Sequence, residues 1–107
     1  MQSIQIEDGF KESFKEDLTR KARKKIQPIL EKFAKSLKKV KNPLILNPDF
    51  LVREEEPIGI KLKPGDRLYS VQLIPGYLLY FYSFGSESPV YKLIRFASMP
   101  KSGKFLY

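Results

Sequence analysis

The residues best equipped for chemistry gather in the last third of the chain, DRLYSVQLIPGYLLYFYSFGSESPVYKLIRFASMPKSGKFLY, residues 66–107. Arg67, Lys92 and Arg95 stand inside otherwise apolar stretches, interleaved with Tyr69, Tyr80, Tyr82 and Tyr91, and the chain runs out through Lys101, Lys104 and Tyr107. An arginine fork is planar, permanently charged and matched to phosphate. A tyrosine offers a ring on which a base can stack and a hydroxyl for a phosphate or 2′-OH. Such a set can grip RNA. It can also support cleavage by the RNA's own 2′-OH, with arginine stabilising charge at phosphorus and a Lys or Tyr of lowered pKa drawing off the proton. The competing reading is a plain solvated sheet face, which has the same composition.

The rest of the composition narrows the chemistry. There is no histidine and no cysteine, which removes imidazole catalysis, disulfides and thiolate metal sites. No glycine-rich phosphate loop occurs, so neither a metal nor a cofactor is expected. Twenty Lys and Arg against twelve Asp and Glu give a net charge of +8, a balance that points to a polyanionic partner. The 42% of hydrophobic residues in 107 suffices for one core, and a single domain over residues 1–107 is expected. The first residues lack a signal-peptide pattern and no apolar run reaches the roughly 20 residues of a membrane span, which predicts a soluble cytoplasmic protein with no membrane partner.

The elements that must carry these side chains follow from periodicity. Ile4 and Ile6 alternate in a first strand over residues 2–6, and Asp8 is placed to cap a helix with the stripe Phe10, Phe14 and Leu18. A basic segment, residues 19–25, leads to Pro28, where a kink or a fresh helix start is expected. The apolar stripe Ile26, Ile29, Leu30, Phe33, Leu37 and Val40 continues the helical pattern, with Lys32, Lys35, Lys38 and Lys39 opposite. Two Asn-Pro pairs end it within residues 41–50, and the acidic run 53–57 reads as a solvated loop. Strands are expected over 58–63, 67–74, 77–84 and 90–98, the first with Lys61 and Lys63 on one face. The fold class is therefore α+β: a short N-terminal strand, a helical hairpin, then an antiparallel sheet of three to four strands with the helices on one face.

This order, with F-x3-F-x3-L on the helices and KLKPGDRLYSVQLIPGYLLYFYSF in the sheet, resembles the RelE/ParE superfamily of toxin–antitoxin toxins over residues 3–98. The resemblance implies a small cytosolic toxin neutralised by an antitoxin, here expected to be a small acidic protein. One branch cuts mRNA on the ribosome without a metal; another poisons gyrase and cuts nothing. Carried over by position, it implies catalytic roles for Lys61, Lys63, Arg67, Arg95 and Tyr107. Tyr69, Tyr80, Tyr82, Tyr91, Lys92, Lys101 and Lys104 then form the nucleic-acid-binding set. The chain departs from the pattern in having Phe96 after Arg95 and no histidine. The expected function is thus a ribosome-associated endoribonuclease, the alternative a noncatalytic nucleic-acid- or antitoxin-binding protein of the same fold.

Overall fold

Residues 3–56, 62–85 and 87–98 are described in the computed structural model. The chain begins with β1 (Ser3–Ile6), followed by α1 (Asp8–Glu16) and α2 (Arg20–Leu37). A 3-10 helix (Pro43–Leu46) leads into β2 (Leu51–Glu55), β3 (Arg67–Gln72), β4 (Tyr77–Phe84) and β5 (Val90–Ser98). The architecture is α+β, a five-stranded sheet ordered β1-β5-β4-β3-β2. The β2 to β5 meander is antiparallel, and β1 adds to its outer edge in parallel, Ser3 opposite Val90 and Ile6 opposite Leu93.

Local chemistry sets the helix boundaries. Thr19 is the N-cap of α2, its hydroxyl accepting from the Ala22 amide at 3.1 Å. The break between helices therefore falls at Asp17 to Thr19, and Pro28 lies inside α2 instead of starting a new helix. Pro28 and Lys24 are both solvent-exposed, so water can serve the Lys24 carbonyl that a proline four residues on cannot. Asp8 is not a cap either; Glu7 holds that position without a side-chain bond, and Asp8 contributes its charge to the first turn. At the far end Asn42 accepts from the Leu44 amide at 3.1 Å and starts the 3-10 helix.

One face of the sheet carries the core. Ala22, Ile26, Phe33 and Leu37 recur at helical spacing along α2 and pack with Phe10 and Leu18 onto Val52, Tyr69, Val71, Leu79, Phe81, Tyr91, Leu93 and Phe96. Phe33 is fully buried, with its ring centroid 5.2 Å from that of Phe50 and 5.7 Å from that of Phe81. Burial of such a side chain contributes about 2–3 kcal/mol. The other face holds a smaller cluster, Leu68, Leu78 and Tyr80, flanked by Leu62, Tyr82, Ile94 and Ala97.

Two sequence expectations change here. The strand paired with β3 is Leu51–Glu55, drawn from the acidic run read as a loop, while residues 57–61 of the expected 58–63 strand lie outside the described residues and Leu62 and Lys63 are not in a strand. In β5 the register slips between Tyr80 and Phe81, whose partners are Arg95 and Leu93. Ile94 is thus an extra residue, a bulge, and strict alternation fails beyond it. Phe96 turns into the core beside Tyr91 and Leu93, instead of sharing a face with Val90 and Lys92.

Candidate functional site

Where α2 ends, the helix-bearing side of the sheet opens into a cleft of about 310 Å³. Lys41 and Asn42 border it from the chain leaving α2, Glu54 from β2, Arg67 and Tyr69 from β3, and Ser83 from β4. The strand register explains the grouping. Glu54 stands opposite Tyr69 and Arg67 opposite Ser83, and residues directly opposite on antiparallel strands share a face. Arg67 Nη1 lies 3.5 Å from Glu54 Oε2, with the two side chains 58% and 45% exposed. An ion pair that open is worth only about 0.2–1 kcal/mol, so either partner can turn to a ligand at little cost.

Beneath that pair, Tyr69 is buried and stacked on Phe81 at 5.5 Å. Burial pushes its hydroxyl pKa above the ordinary value of 10.0; Glu54 adds to the rise and Arg67 opposes it. The same direction holds elsewhere on the sheet. Burial raises Tyr80, with Glu55 adding and Arg53 opposing, and raises Tyr82, with Glu7 adding. Tyr91, whose hydroxyl donates to the Val40 carbonyl, is pushed up to about 12, by burial first and by Tyr69 second. None of the four binding-set tyrosines thus has the lowered pKa that a tyrosine base would need, and at neutral pH their hydroxyls are protonated. Tyr107, the one tyrosine given a catalytic role, lies outside the described residues.

The four tyrosines do not form one stacking platform. Tyr69 and Tyr91 belong to the core under the helices, Tyr80 is buried on the opposite face, and Tyr82 is half-buried beside it. Alternation along β3, β4 and β5 divides them two and two between the faces.

The expected cations separate as well. Lys92 Nζ is 2.9 Å from Glu7 Oε1, at the junction of β1 and α1. Arg95 stands opposite Tyr80, and its Nη2 lies 3.8 Å from Asp17 Oδ2 at the end of α1. Two strand spacings and three residues along the sheet part its Cα from that of Arg67, about 14 Å in all, and the two guanidinium groups turn to different carboxylates, Asp17 and Glu54. Lys63 is exposed and borders a second hollow of about 460 Å³ with Arg67, Glu54, Glu55, Glu56 and Asp66. Four carboxylates against two cations make that hollow unsuited to an anion. Lys61, Lys101, Lys104 and Tyr107 lie outside the described residues.

Sequence reasoning missed Lys41, Asn42, Glu54 and Ser83. Glu54 was hidden because three consecutive glutamates suggest a loop, whereas β2 splits them: Glu54 points to the cleft, and Glu55 turns to the opposite face, where it is buried, accepts from Ser70 Oγ at 2.8 Å and meets Arg53 Nε at 3.1 Å. The available signal was Val52, whose burial partners fix the face that Glu54 shares two residues on. Among the described residues no helix is long and apolar enough to cross a membrane. No protein-family model, curated protein or solved structure matches the chain.

Proposed function

We propose that this chain is an RNA-directed toxin of a toxin–antitoxin pair, a metal-independent endoribonuclease acting on ribosome-bound mRNA in the cleft beside β2, β3 and β4. The observation that carries this reading is the exposed Arg67–Glu54 pair in a cleft also lined by Lys41 and by Tyr69, whose hydroxyl is protonated. The Glu54 carboxylate takes the proton of the 2′-OH as its oxygen attacks the adjacent phosphorus. Arg67 and the Tyr69 hydroxyl meet the charge that builds on the phosphoryl oxygens. The Lys41 ammonium gives a proton to the departing 5′-oxygen, leaving a 2′,3′-cyclic phosphate and a 5′-hydroxyl. A small acidic antitoxin complements the net charge of +8.

Induced expression in a bacterial host, with growth followed and new mRNA 5′ ends mapped, tests the assignment. Wild type arrests growth and creates new ends. Glu54→Gln lowers cleavage by about 10²–10⁴-fold and Arg67→Ala by about 10²–10³-fold, the ranges for losing a general base and an oxyanion donor. Arrest without new ends removes the ribonuclease assignment. The noncatalytic alternative is favoured by one observation, the engagement of Lys92 and Arg95 in ion pairs away from the cleft. Intact message with retained RNA binding selects it.

A further inference from the structure

The net charge of the molecule has a single source. Residues 20–41 hold ten Lys and Arg against one acid, Glu31, or +9; the other 85 residues hold ten cations and eleven acids, or −1. The sheet cations Arg67, Lys92 and Arg95 each lie within 4 Å of a carboxylate, whereas among the described residues no cation of α2 forms an ion pair. Arg23 alone has a defined side-chain bond, to the Lys15 carbonyl at 2.9 Å.

The exposed cations are also ordered in space. At 100° per residue, Lys21, Lys25, Lys32 and Lys35 fall within about 40° of one line along the outer side of α2. Ala22, Ile26, Phe33 and Leu37 define the opposite, buried side. From Lys21 to Lys35 the stripe is about 21 Å long, and a duplex presents one phosphate per about 1.7 Å of axis, so several phosphates fall within reach. Gln27, Pro28 and Glu31 share the exposed surface, and no exposed Phe, Leu or Ile of α2 stands among the lysines to anchor it in lipid.

We infer that the outer side of α2 is a second binding surface, separate from the cleft, that holds the sugar–phosphate backbone of a double-stranded nucleic acid. Lysine ammonium groups act there as point charges, so the contact is independent of base sequence. The inference stands whether or not the cleft cleaves RNA.

Fluorescence anisotropy with labelled duplexes of one sequence, as RNA and as DNA, is measured between about 50 and 300 mM salt. The quadruple variant Lys21→Gln/Lys25→Gln/Lys32→Gln/Lys35→Gln loses about 100-fold in affinity, and its log–log salt slope falls by about 4, one per phosphate contact. The matching Lys→Arg quadruple keeps both, and thermal melting shows that each variant is folded. Lys11→Gln/Lys15→Gln on α1 changes the affinity by less than about threefold. Preference for RNA or DNA identifies which duplex is held. An unaltered slope in the Lys→Gln quadruple, an equal loss per charge in the α1 variant, or wild-type binding to vesicles of phosphatidylserine and phosphatidylcholine but to neither duplex would overturn the inference. A cleft that fails leaves this slope unchanged, and a stripe that fails leaves cleavage by the cleft open to its own test.

Discussion

Tyr91 shows how much one side chain depends on its surroundings here. It is fully buried, its ring meets Phe81 edge-on at 6.3 Å, and its hydroxyl reaches the Val40 carbonyl beyond the end of α2. Its pKa in the fold is about 12, against 10.0 when solvated. A group whose folded pKa is raised stabilises the fold fully below the unfolded value and loses that contribution as pH climbs to the folded one. The window is therefore pH 10 to about 12, and its depth is on the order of 3 kcal/mol. Tyr91→Phe deletes the hydrogen bond, costing about 1 kcal/mol near pH 8, but also removes this alkaline loss. Urea unfolding of both proteins across the window should give stability curves that converge and cross near pH 11. Parallel curves would mean that Tyr91 ionises as a solvated tyrosine does. The same burial explains why a tyrosine legible in the sequence as a stacking group was misplaced: residue type gives the chemistry, but the face is decided by which side of the sheet the helices cover.

At the scale of elements, the β1, α1 and β5 assembly determines where the sheet ends. The Glu7 amide donates to the Leu93 carbonyl at 3.0 Å and closes the β1–β5 ladder, just before the bulge at Ile94. Beyond it the Phe96 amide donates to Ser13 Oγ at 2.8 Å, and Ser13 in turn donates to the Phe10 carbonyl at 3.1 Å. A helix hydroxyl thus satisfies a buried strand amide that β1 is too short to reach. Ser13→Ala leaves that amide without its acceptor and should cost about 1–3 kcal/mol in urea denaturation. Ser13→Thr keeps the hydroxyl and should recover part of the loss, while a neutral alanine variant would place the amide in contact with water. The strands over 67–72, 77–84 and 90–98 and both apolar helix stripes were legible because period 2 and period 3.6 dominate there. Three features were not. The parallel docking of β1 depends on contacts far apart in sequence. The bulge at Ile94 breaks a period that the sequence carries through without interruption, its Phe96 amide meeting Ser13 more than eighty residues away, and β2 was masked by its glutamates. The candidate cleft inherits that blind spot, because Glu54 lies on β2 and Lys41 on the turn after α2; only Arg67 and Tyr69 were visible beforehand.

For the whole molecule, the concentration of charge on one segment has an energetic consequence. Lys21 and Lys24, Lys21 and Lys25, and Lys32 and Lys35 are like-charged neighbours at helical spacing on α2, each pair costing about 0.2–0.5 kcal/mol at low salt. Arg20 and Lys21 also crowd the first turn of α2, which holds no acid, where the helix dipole disfavours cations. The fold recovers none of this through ion pairs among the described residues, so the arrangement is destabilising in the isolated protein and is relieved by an anion laid along the helix. Two measurements separate that account from an inert surface. The Tm of the wild type should rise by several degrees between about 20 and 500 mM salt, as the screening length shrinks to a few ångströms. The quadruple Lys→Gln variant should melt about 5 °C higher than wild type at the low-salt end, corresponding to about 1 kcal/mol in a domain of this size, and the two should meet at high salt. A duplex that binds α2 should raise the wild-type Tm at low salt and leave the variant where it was, since a ligand stabilises only the folded state that binds it. If removal of the four charges lowers the Tm instead, the lysine stems contribute packing along α2, and the stripe is part of the structure and not a surface held open for a polyanion.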